Sequence, residues 1–257
     1  MEVITASGYE ILILLFFVGL LAGFIDSIAG GGGLISLPAL LSVGIPPQIA
    51  LGTNKLQGTF GALTAAINFT RYGKVDLKEC VFGIVTTLIG AATGAVMIQK
   101  MDPSFLNRLV PVLLLLVLVY TIFYKSNEVN DRPAKMPQAL FFLIFGLTLG
   151  FYDGFFGPGT GSFWTAALMM LMGYNMTKSV GITRVMNFTS NVVALTLFVS
   201  GGNVYFKVGL IMALGQIIGS RYGSGLAIKK GTRFIRPIFI AVVLATIIRL
   251  IYLNYFL

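Results

Sequence analysis

The sequence predicts an all-α polytopic membrane protein made of two inverted repeats, a prediction that rests on its composition and its internal symmetry. Hydrophobic residues account for 56% of the 257 residues and charged residues for 11%, against roughly 45–50% and 25% in an average soluble domain. Several charge-free stretches approach the ~20 residues that a helix needs to cross a bilayer. These stretches are residues 34–54, 81–99, 109–124, 136–152, 154–177 and 185–206.

The same composition excludes several kinds of chemistry. With no histidine and a single cysteine, Cys80, the chain can form neither an intramolecular disulfide nor a cysteine or histidine metal site. We therefore expect a protein that is not an enzyme and has no cofactor and no metal site. No Lys or Arg precedes the first apolar run, which Glu2 and Glu10 flank. Residues 11–24 are thus predicted to be a retained span rather than a cleaved signal peptide.

The two halves of the chain repeat each other. At a shift of 127 residues Gly23–Asp26 falls on Gly150–Asp153, and at a shift of 129 residues Lys55 falls on Arg184. The other matched pairs are Gly30 with Gly157, Gly32 with Gly159, Gly52 with Gly181, Gly90 with Gly219, Gly94 with Gly223, Lys100 with Lys229 and Phe105 with Phe234. Agreement in an acid, a base and several glycines is more than shared apolar composition explains. Internal repeats of this kind are typical of transporter folds.

Each repeat is predicted to contain four long transmembrane helices and one short helix after a glycine cluster. The long spans are about 9–29, 49–70, 79–100 and 104–124 in repeat 1 and 137–157, 178–200, 205–228 and 234–256 in repeat 2. The short segments, 34–44 and 161–173, reach only ~17–20 Å as helices, but ~13 Å of extended glycine region completes a broken span. We expect a single domain over 1–257, with repeat 1 at 9–124, a loop at 125–136 and repeat 2 at 137–256.

The distribution of basic residues favours short segments that cross the bilayer. If the short segments cross the bilayer, one repeat is inverted relative to the other, and eleven basic residues lie on one side of the membrane and three on the other. If the short segments are re-entrant, seven basic residues lie on each side. The side with eleven contains Arg71, Lys74, Lys78, Lys125, Arg132, Lys135, Lys178, Lys229, Lys230, Arg233 and Arg236. The side with three contains Lys100, Arg108 and Lys207. The positive-inside rule then predicts a cytoplasmic 125–136 loop and both termini outside. Because topology accounts for most of the net charge of +9, we expect the lipid bilayer as a partner and no nucleic acid.

Four basic residues remain inside predicted spans, where a charge costs at least ~2.5–3.5 kcal/mol. Lys55 and Arg184 are repeat equivalents near the start of matching helices, so they are candidates for a shared anion site at the midplane. The alternative is that each side chain snorkels to the interface. Arg221 has no repeat partner and is a weaker candidate for the site. Arg249, close to the C-terminus, is interpreted as an interfacial anchor.

The glycine clusters at 30–33 and 157–161 are the second candidate element. Glycine lets the chain unwind, and the N-terminus of the helix that follows offers free N–H groups to an anion. Close packing of helices through small residues is the alternative. The candidate binding residues in these clusters are Gly31, Gly32, Gly33 and Leu34 in repeat 1 and Gly159, Thr160 and Gly161 in repeat 2.

Acidic and amide side chains accompany these elements. Asp26 and Asp153 lie one turn before the glycine clusters and could pair with the embedded bases, cap the helix break or carry a coupling proton. Asn54, Gln57 and Asn187, with Asn191 and Gln216, are uncharged donors that could complete hydrogen bonds to an oxyanion or bridge helices. The residues leave both alternatives open.

These motifs resemble those of a known family. Gly23–Leu34 with Pro38, followed by Gly52–Gln57, and the second signature Gly150–Gly159 are similar to the sulfite exporter TauE/SafE family of bacterial membrane permeases, and in particular to its YfcA-like members. The resemblance implies transport of sulfite, sulfonates or related organosulfur anions across the bacterial inner membrane. Thr160-Gly161 stands where a fuller glycine run is common in the family.

The resulting hypothesis is a secondary transporter with alternating access around a midplane site for a small sulfur-containing anion. Backbone N–H groups after Gly33 and Gly161, together with Lys55 and Arg184, are expected to bind its oxygens. A cation or metal transporter that uses Asp26 and Asp153, and an anion channel, are the alternatives. The sequence leaves open which anion is carried, the direction of transport, the coupling ion and whether the chain forms a homo-oligomer.

Overall fold

A computed structural model describes residues 8–123 and 131–230, which are helical apart from short connections. Within these residues the chain forms nine helices. They are α1 (Gly8–Ala29), α2 (Gly33–Ser42), α3 (Pro47–Arg71), α4 (Leu77–Gln99), α5 (Pro103–Phe123), α6 (Gln138–Phe155), α7 (Thr160–Leu171), α8 (Met176–Ser200) and α9 (Phe206–Lys230). The all-helical prediction is confirmed for this part of the chain. The predicted span 234–256 and Arg249 lie outside the described residues.

Four helices, α1, α4, α6 and α8, are long and apolar enough to cross a membrane. Helices α3 and α9 have 25 residues each and reach ~37 Å at 1.5 Å per residue, more than the hydrocarbon thickness. Helix α3 is less apolar because it buries Thr53, Asn54, Lys55 and Gln57 in the protein interior. Large side chains such as Tyr9, Ile13 and Phe17 are instead exposed. Apolar side chains on the exterior and polar side chains enclosed within the core are expected of a protein whose solvent is lipid.

Glycines in the left-handed region stand before and after each of the two short helices. Helix α2 follows Gly30, whose φ is 82°, and α7 follows Gly157 and Gly159, with φ of 99° and 83°. Both short helices are followed by a glycine with positive φ, Gly44 and Gly173. An L side chain rarely adopts this backbone conformation, so glycine fixes where each helix stops and restarts. The short segments predicted at 34–44 and 161–173 are therefore helices, displaced by one or two residues.

Helices from the first and second parts of the chain pack closely through glycine. Gly19 and Gly23 of α1 lie against Met212 and Gln216 of α9. Because the residue numbers rise together, α1 and α9 run in the same direction. Helices α4 and α6 also run in the same direction, with Gly90 against Leu147 and Gly94 against Phe151. Small residues permit this approach of backbone to backbone, which drives helix association in lipid.

The central helices α3 and α8 run in opposite directions. Gly52 lies against Phe198, Gly58 against Asn191 and Phe69 against Gly181, so the residue numbers fall along one helix as they rise along the other.

Helices α1 and α3 run in the same direction because α3 also lies parallel to α9. Leu56 contacts Gly209, and Asn68 donates to Ser224. The segment at 30–46, which contains α2, therefore carries the chain back between them.

Candidate functional site

Two ion pairs lie in the interior, and each joins the first part of the chain to the second. Lys55 Nζ of α3 lies 2.7 Å from Asp153 Oδ1 of α6, and Arg184 Nη1 of α8 lies 2.5 Å from Asp26 Oδ2 of α1. The side chains of Lys55 and Arg184 are 1% and 0% exposed, so neither base snorkels to the membrane interface. Both acids therefore pair with the embedded bases, and Asp26 in addition accepts a hydrogen bond at the helix break.

The two carboxylates differ in their remaining partners and in their exposure. Asp153 also accepts a hydrogen bond from Ser190 Oγ on Oδ2, while Lys55 additionally donates to the Asp153 backbone carbonyl. Asp26 accepts a backbone hydrogen bond of 3.0 Å from Gly32 on Oδ1, which caps the start of α2. The side chain of Asp26 is 21% exposed, whereas that of Asp153 is 4% exposed. Asp26 is thus the acid that water reaches more readily.

Arg184 uses only part of its hydrogen-bonding capacity within the described residues. Its Nε and Nη2 atoms are buried without a hydrogen-bond partner there. Nη2 would lie 2.6 Å from a Cβ on Gly161, and Lys55 Nζ would lie 2.6 Å from a Cβ on Gly157. The glycine clusters therefore make room for the two cations as well as breaking the helices.

A cavity of about 400 Å³, open solvent included, lies where the two helix breaks meet between α3 and α8. Because this figure counts open solvent, the enclosed space is smaller still, which favours a small ligand. The lining contains two acids, one base and five amide side chains in addition to glycines. The lining residues are Asp26, Gly30, Gly33, Asn54, Lys55, Gln57, Gly58, Asp153, Gly157, Gly159, Gly161, Asn187, Asn191 and Gln216.

The amides on one side of the cavity form a chain of hydrogen bonds. Asn54 Oδ1 accepts from Ser36 Oγ at 2.6 Å and from Gln57 Nε2 at 2.7 Å, and Gln57 Oε1 accepts from Gln216. Both bonds to Asn54 use its oxygen, so its Nδ2 donors are left for the cavity that it lines. On the opposite side, Asn187 Oδ1 is buried without a partner among the described residues. A ligand here meets both donors and an acceptor.

The structure brings together most of the residues that the sequence singled out, but not all of them. Arg221 is exposed and donates to Asn68 Oδ1, away from the cavity. Of the candidate residues in the glycine clusters, Gly33, Gly159 and Gly161 line the cavity. The others, Gly31, Gly32, Leu34 and Thr160, do not line it. Arg184 lies behind Asp26.

Several backbone N–H groups of the clusters are already engaged. The Leu34 amide donates to the Gly31 carbonyl at 3.0 Å and the Ser162 amide to the Gly159 carbonyl at 2.9 Å. The amides directly after Gly33 and Gly161, expected to bind the ligand, thus close the first helical turns instead. The sequence reasoning missed Ser36, a single hydroxyl within an apolar segment, and Ser190, which stands between Thr189 and Asn191.

The arrangement does not favour a site for a metal cation. Each of the two acids is held by a basic side chain. Within residues 8–123 and 131–230, no group of three or more His, Cys, Asp or Glu side chains could hold a metal ion.

Comparison with known proteins finds the same family across most of the chain. A family model described as "Sulfite exporter TauE/SafE" matches residues 15–250. A "Probable membrane transporter protein" of Haemophilus influenzae is 44% identical over 90% of both chains. "Probable membrane transporter protein YfcA" of Escherichia coli K12 is 41% identical over 93% of this chain and 88% of its own length. A Sinorhizobium relative, "Probable membrane transporter protein ORF9", is 41% identical over 95% and 94%. No solved structure matches.

Proposed function

Because the chain belongs to the sulfite exporter TauE/SafE family of membrane transporters, we propose that it is a secondary transporter for small sulfur-containing anions such as sulfite or organosulfonates. The observation that carries the proposal is the cavity between the two helix breaks, which is flanked by both ion pairs and lined by amide side chains. The cavity is too small for a bulky amphiphile. The hydrogen-bond donors of the cavity suit an oxyanion. The family description, which names sulfite, is the reason for proposing a sulfur-containing anion.

The proposal includes an inverted-repeat architecture with one domain over residues 1–257. Helix directions support it: α1 packs along α9 as α6 packs along α4, and the corresponding helices α3 and α8 are antiparallel. A two-fold axis in the membrane plane produces this relation. From the positive-inside rule we also propose that the 125–136 loop is cytoplasmic and that both termini lie outside the bacterial inner membrane.

In this proposal the anion binds at the level of the helix breaks. Gly33 and Gly161 line the cavity from the first turns of α2 and α7, and we assign the anion to their own N–H groups, because the amides of the residues that follow them are engaged. The helix dipole at this end favours negative charge. Asn54 adds amide donors and Lys55 adds charge from the cavity wall. Rocking of one repeat against the other then exposes the same site to the opposite side of the membrane.

A channel is the second candidate, but the polar residues argue against it. They are concentrated around one cavity at the helix breaks rather than along a continuous path. A transporter predicts flux that saturates with anion concentration, whereas flux that stays proportional to concentration would favour a channel.

The test is binding of radiolabelled sulfite to the purified protein, with competition by sulfonates, thiosulfate, sulfate and acetate. Removing only one member of a buried ion pair costs about 3–5 kcal/mol, so the variant should neutralise a whole pair. Lys55→Gln combined with Asp153→Asn is expected to keep the fold and weaken sulfite binding at least about tenfold, a loss of ~1.4 kcal/mol.

Arg221→Gln is the matched control, because it removes a base of the same chain that does not line the cavity. It is expected to bind sulfite as the unaltered protein does. Equal binding by the control and by the double variant would contradict the proposed site. The absence of binding by any of the anions would contradict the proposed substrate class.

A further inference from the structure

The charges around the cavity cancel, which restricts how an anion can enter. Asp26 and Asp153 contribute two negative charges, and Lys55 and Arg184 contribute two positive ones. Each carboxylate already serves one of the bases. An anion that enters alone therefore adds an uncompensated charge to a largely buried site, which costs several kcal/mol. An anion that enters with one proton leaves the total charge unchanged.

The two ion pairs are not equivalent as acceptors for that proton. Lysine as a residue type can give up its proton when buried, so a lysine does not require a counter-anion at all times. Arginine stays protonated in proteins, so Arg184 needs a counter-anion whenever Asp26 loses its charge. Asp26 lines the cavity and is 21% exposed at its side chain, against 4% for Asp153.

Arg184 is also the base with unused donors. Its Nη1 binds Asp26 Oδ2, while its buried Nε and Nη2 have no partner in the described part of the chain. The Asp26 carboxylate lines the cavity and Arg184 does not, so the carboxylate stands between the guanidinium and the ligand space. An oxyanion in place of that carboxylate offers several oxygens to these donors.

Few charged side chains lie near Asp26 in the described part of the chain. Helix α8 contributes Arg184, and across the cavity α3 contributes Lys55 and α6 contributes Asp153. Helices α2 and α7 carry no ionisable side chain. Helix α9 presents Gln216 and Ser220 at this level of α1, and its Arg221 is hydrogen-bonded to Asn68.

We propose that Asp26 accepts one proton for each monovalent anion bound, which makes the protein a proton–anion co-transporter; this inference rests on the proposed function. A proton from water binds Asp26 Oδ2, and the ion pair with Arg184 breaks. Arg184 keeps its charge and turns its donors to the anion, so the loaded cavity is again neutral. Release reverses both steps on the other side, and the anion and the proton travel in the same direction.

The experiment uses anions whose own charge does not change between pH 5 and 8, namely methanesulfonate and 2-hydroxyethanesulfonate. The Kd of the purified protein should rise by up to about tenfold per pH unit, the limit for one linked proton. In weakly buffered solution, a pH-indicator dye should report uptake of about one proton per anion bound. Asp26→Asn, which mimics the protonated acid, should bind with less than about twofold change across the same range.

Glu10→Gln is the matched control, because it neutralises an exposed acid on the same helix that does not line the cavity. It should keep the pH dependence of the unaltered protein. Anion binding without proton uptake, or an Asp26→Asn protein that keeps the pH dependence, overturns the inference and leaves the proposed function standing. Absence of binding by sulfite and by both sulfonates at every pH contradicts the proposed function itself. If Asp26→Asn fails to fold, proton uptake by the unaltered protein decides.

Discussion

The Lys55–Asp153 pair and the Arg184–Asp26 pair occupy corresponding places in the two halves, but their surroundings differ. Asp153 is closed in by Lys55 and Ser190 and is 4% exposed at its side chain. Asp26 is held by Arg184 and the Gly32 amide and is 21% exposed. Lys55 lines the cavity, whereas Arg184 lies behind its carboxylate. The repeated residues thus locate the site, and the residues that are not repeated give its two sides different chemistry.

Removing one base from its ion pair is expected to have its largest effect on stability. Lys55→Gln leaves the Asp153 carboxylate buried, with Ser190 as its remaining side-chain donor. It should reduce the free energy of unfolding by about 3–5 kcal/mol, the usual result of removing one partner of a buried pair. Arg184→Gln should cost less, because Asp26 keeps the Gly32 amide and some contact with water.

Thermal unfolding of both variants in detergent measures the difference. Adding Asp153→Asn to Lys55→Gln should recover most of the lost stability, which serves as the control. Equal losses for the Lys55 and Arg184 variants would show that the two pairs are energetically alike.

The next effect concerns the contact between the two helix breaks. Gly30 has a φ of 82°, and a Cβ on it would lie 2.6 Å from the Ser162 backbone nitrogen. Gly73 has a φ of 65° but nothing within 4 Å of a Cβ. Gly73→Ala should therefore cost only the left-handed strain of about 1–2 kcal/mol, and Gly30→Ala should cost clearly more because the backbone of the other break must also move.

Unfolding temperatures and sulfite binding separate the two glycine variants. Gly73→Ala should bind sulfite normally once folded, whereas Gly30→Ala should also lose affinity. A Gly30 variant as stable as the Gly73 variant would mean that the breaks move apart without cost.

The spans and the breaks could be predicted from the sequence because both depend on local chemistry. Apolar length fixes the spans, and glycine is required where φ is positive, as at Gly30 and Gly157. The repeat also identified Lys55, Arg184, Asp26 and Asp153 as a set.

Which acid meets which base could not be predicted, because the pairing depends on how helices of the two halves pack. The same limit applies to Arg221, which has the residue type of a binding group but faces Asn68 instead of the cavity. It also applies to the Leu34 and Ser162 amides, whose partners are set by the tight turns after the glycines.

A smaller effect on stability is expected from the hydroxyl that binds Asp153. Ser190→Ala removes the hydroxyl that donates to Asp153 Oδ2. A hydrogen bond to a charged group contributes about 1.5–3 kcal/mol, so the unfolding free energy should fall by about that amount. Thr189→Ala is the control, because within the described residues the Thr189 hydroxyl donates to the Val185 carbonyl of its own helix. Equal free energies of unfolding for the two variants would show that the Ser190 hydroxyl does not stabilise the Asp153 carboxylate.

The smallest effect on stability is expected at Arg221, a basic residue of a predicted transmembrane span that lies away from the cavity. It is exposed, and its hydrogen bond to Asn68 links α9 to α3. Arg221→Gln should lower the free energy of unfolding by about 0.5–1.5 kcal/mol, the usual contribution of one hydrogen bond, and should leave the pH dependence of sulfonate binding unchanged. Arg184→Gln removes the same residue type from a buried position beside Asp26. This variant should lose the pH dependence of sulfonate binding, because no cation then remains to exchange Asp26 for the anion. A loss of pH dependence in the Arg221 variant would place the proton-linked base on α9 instead of α8.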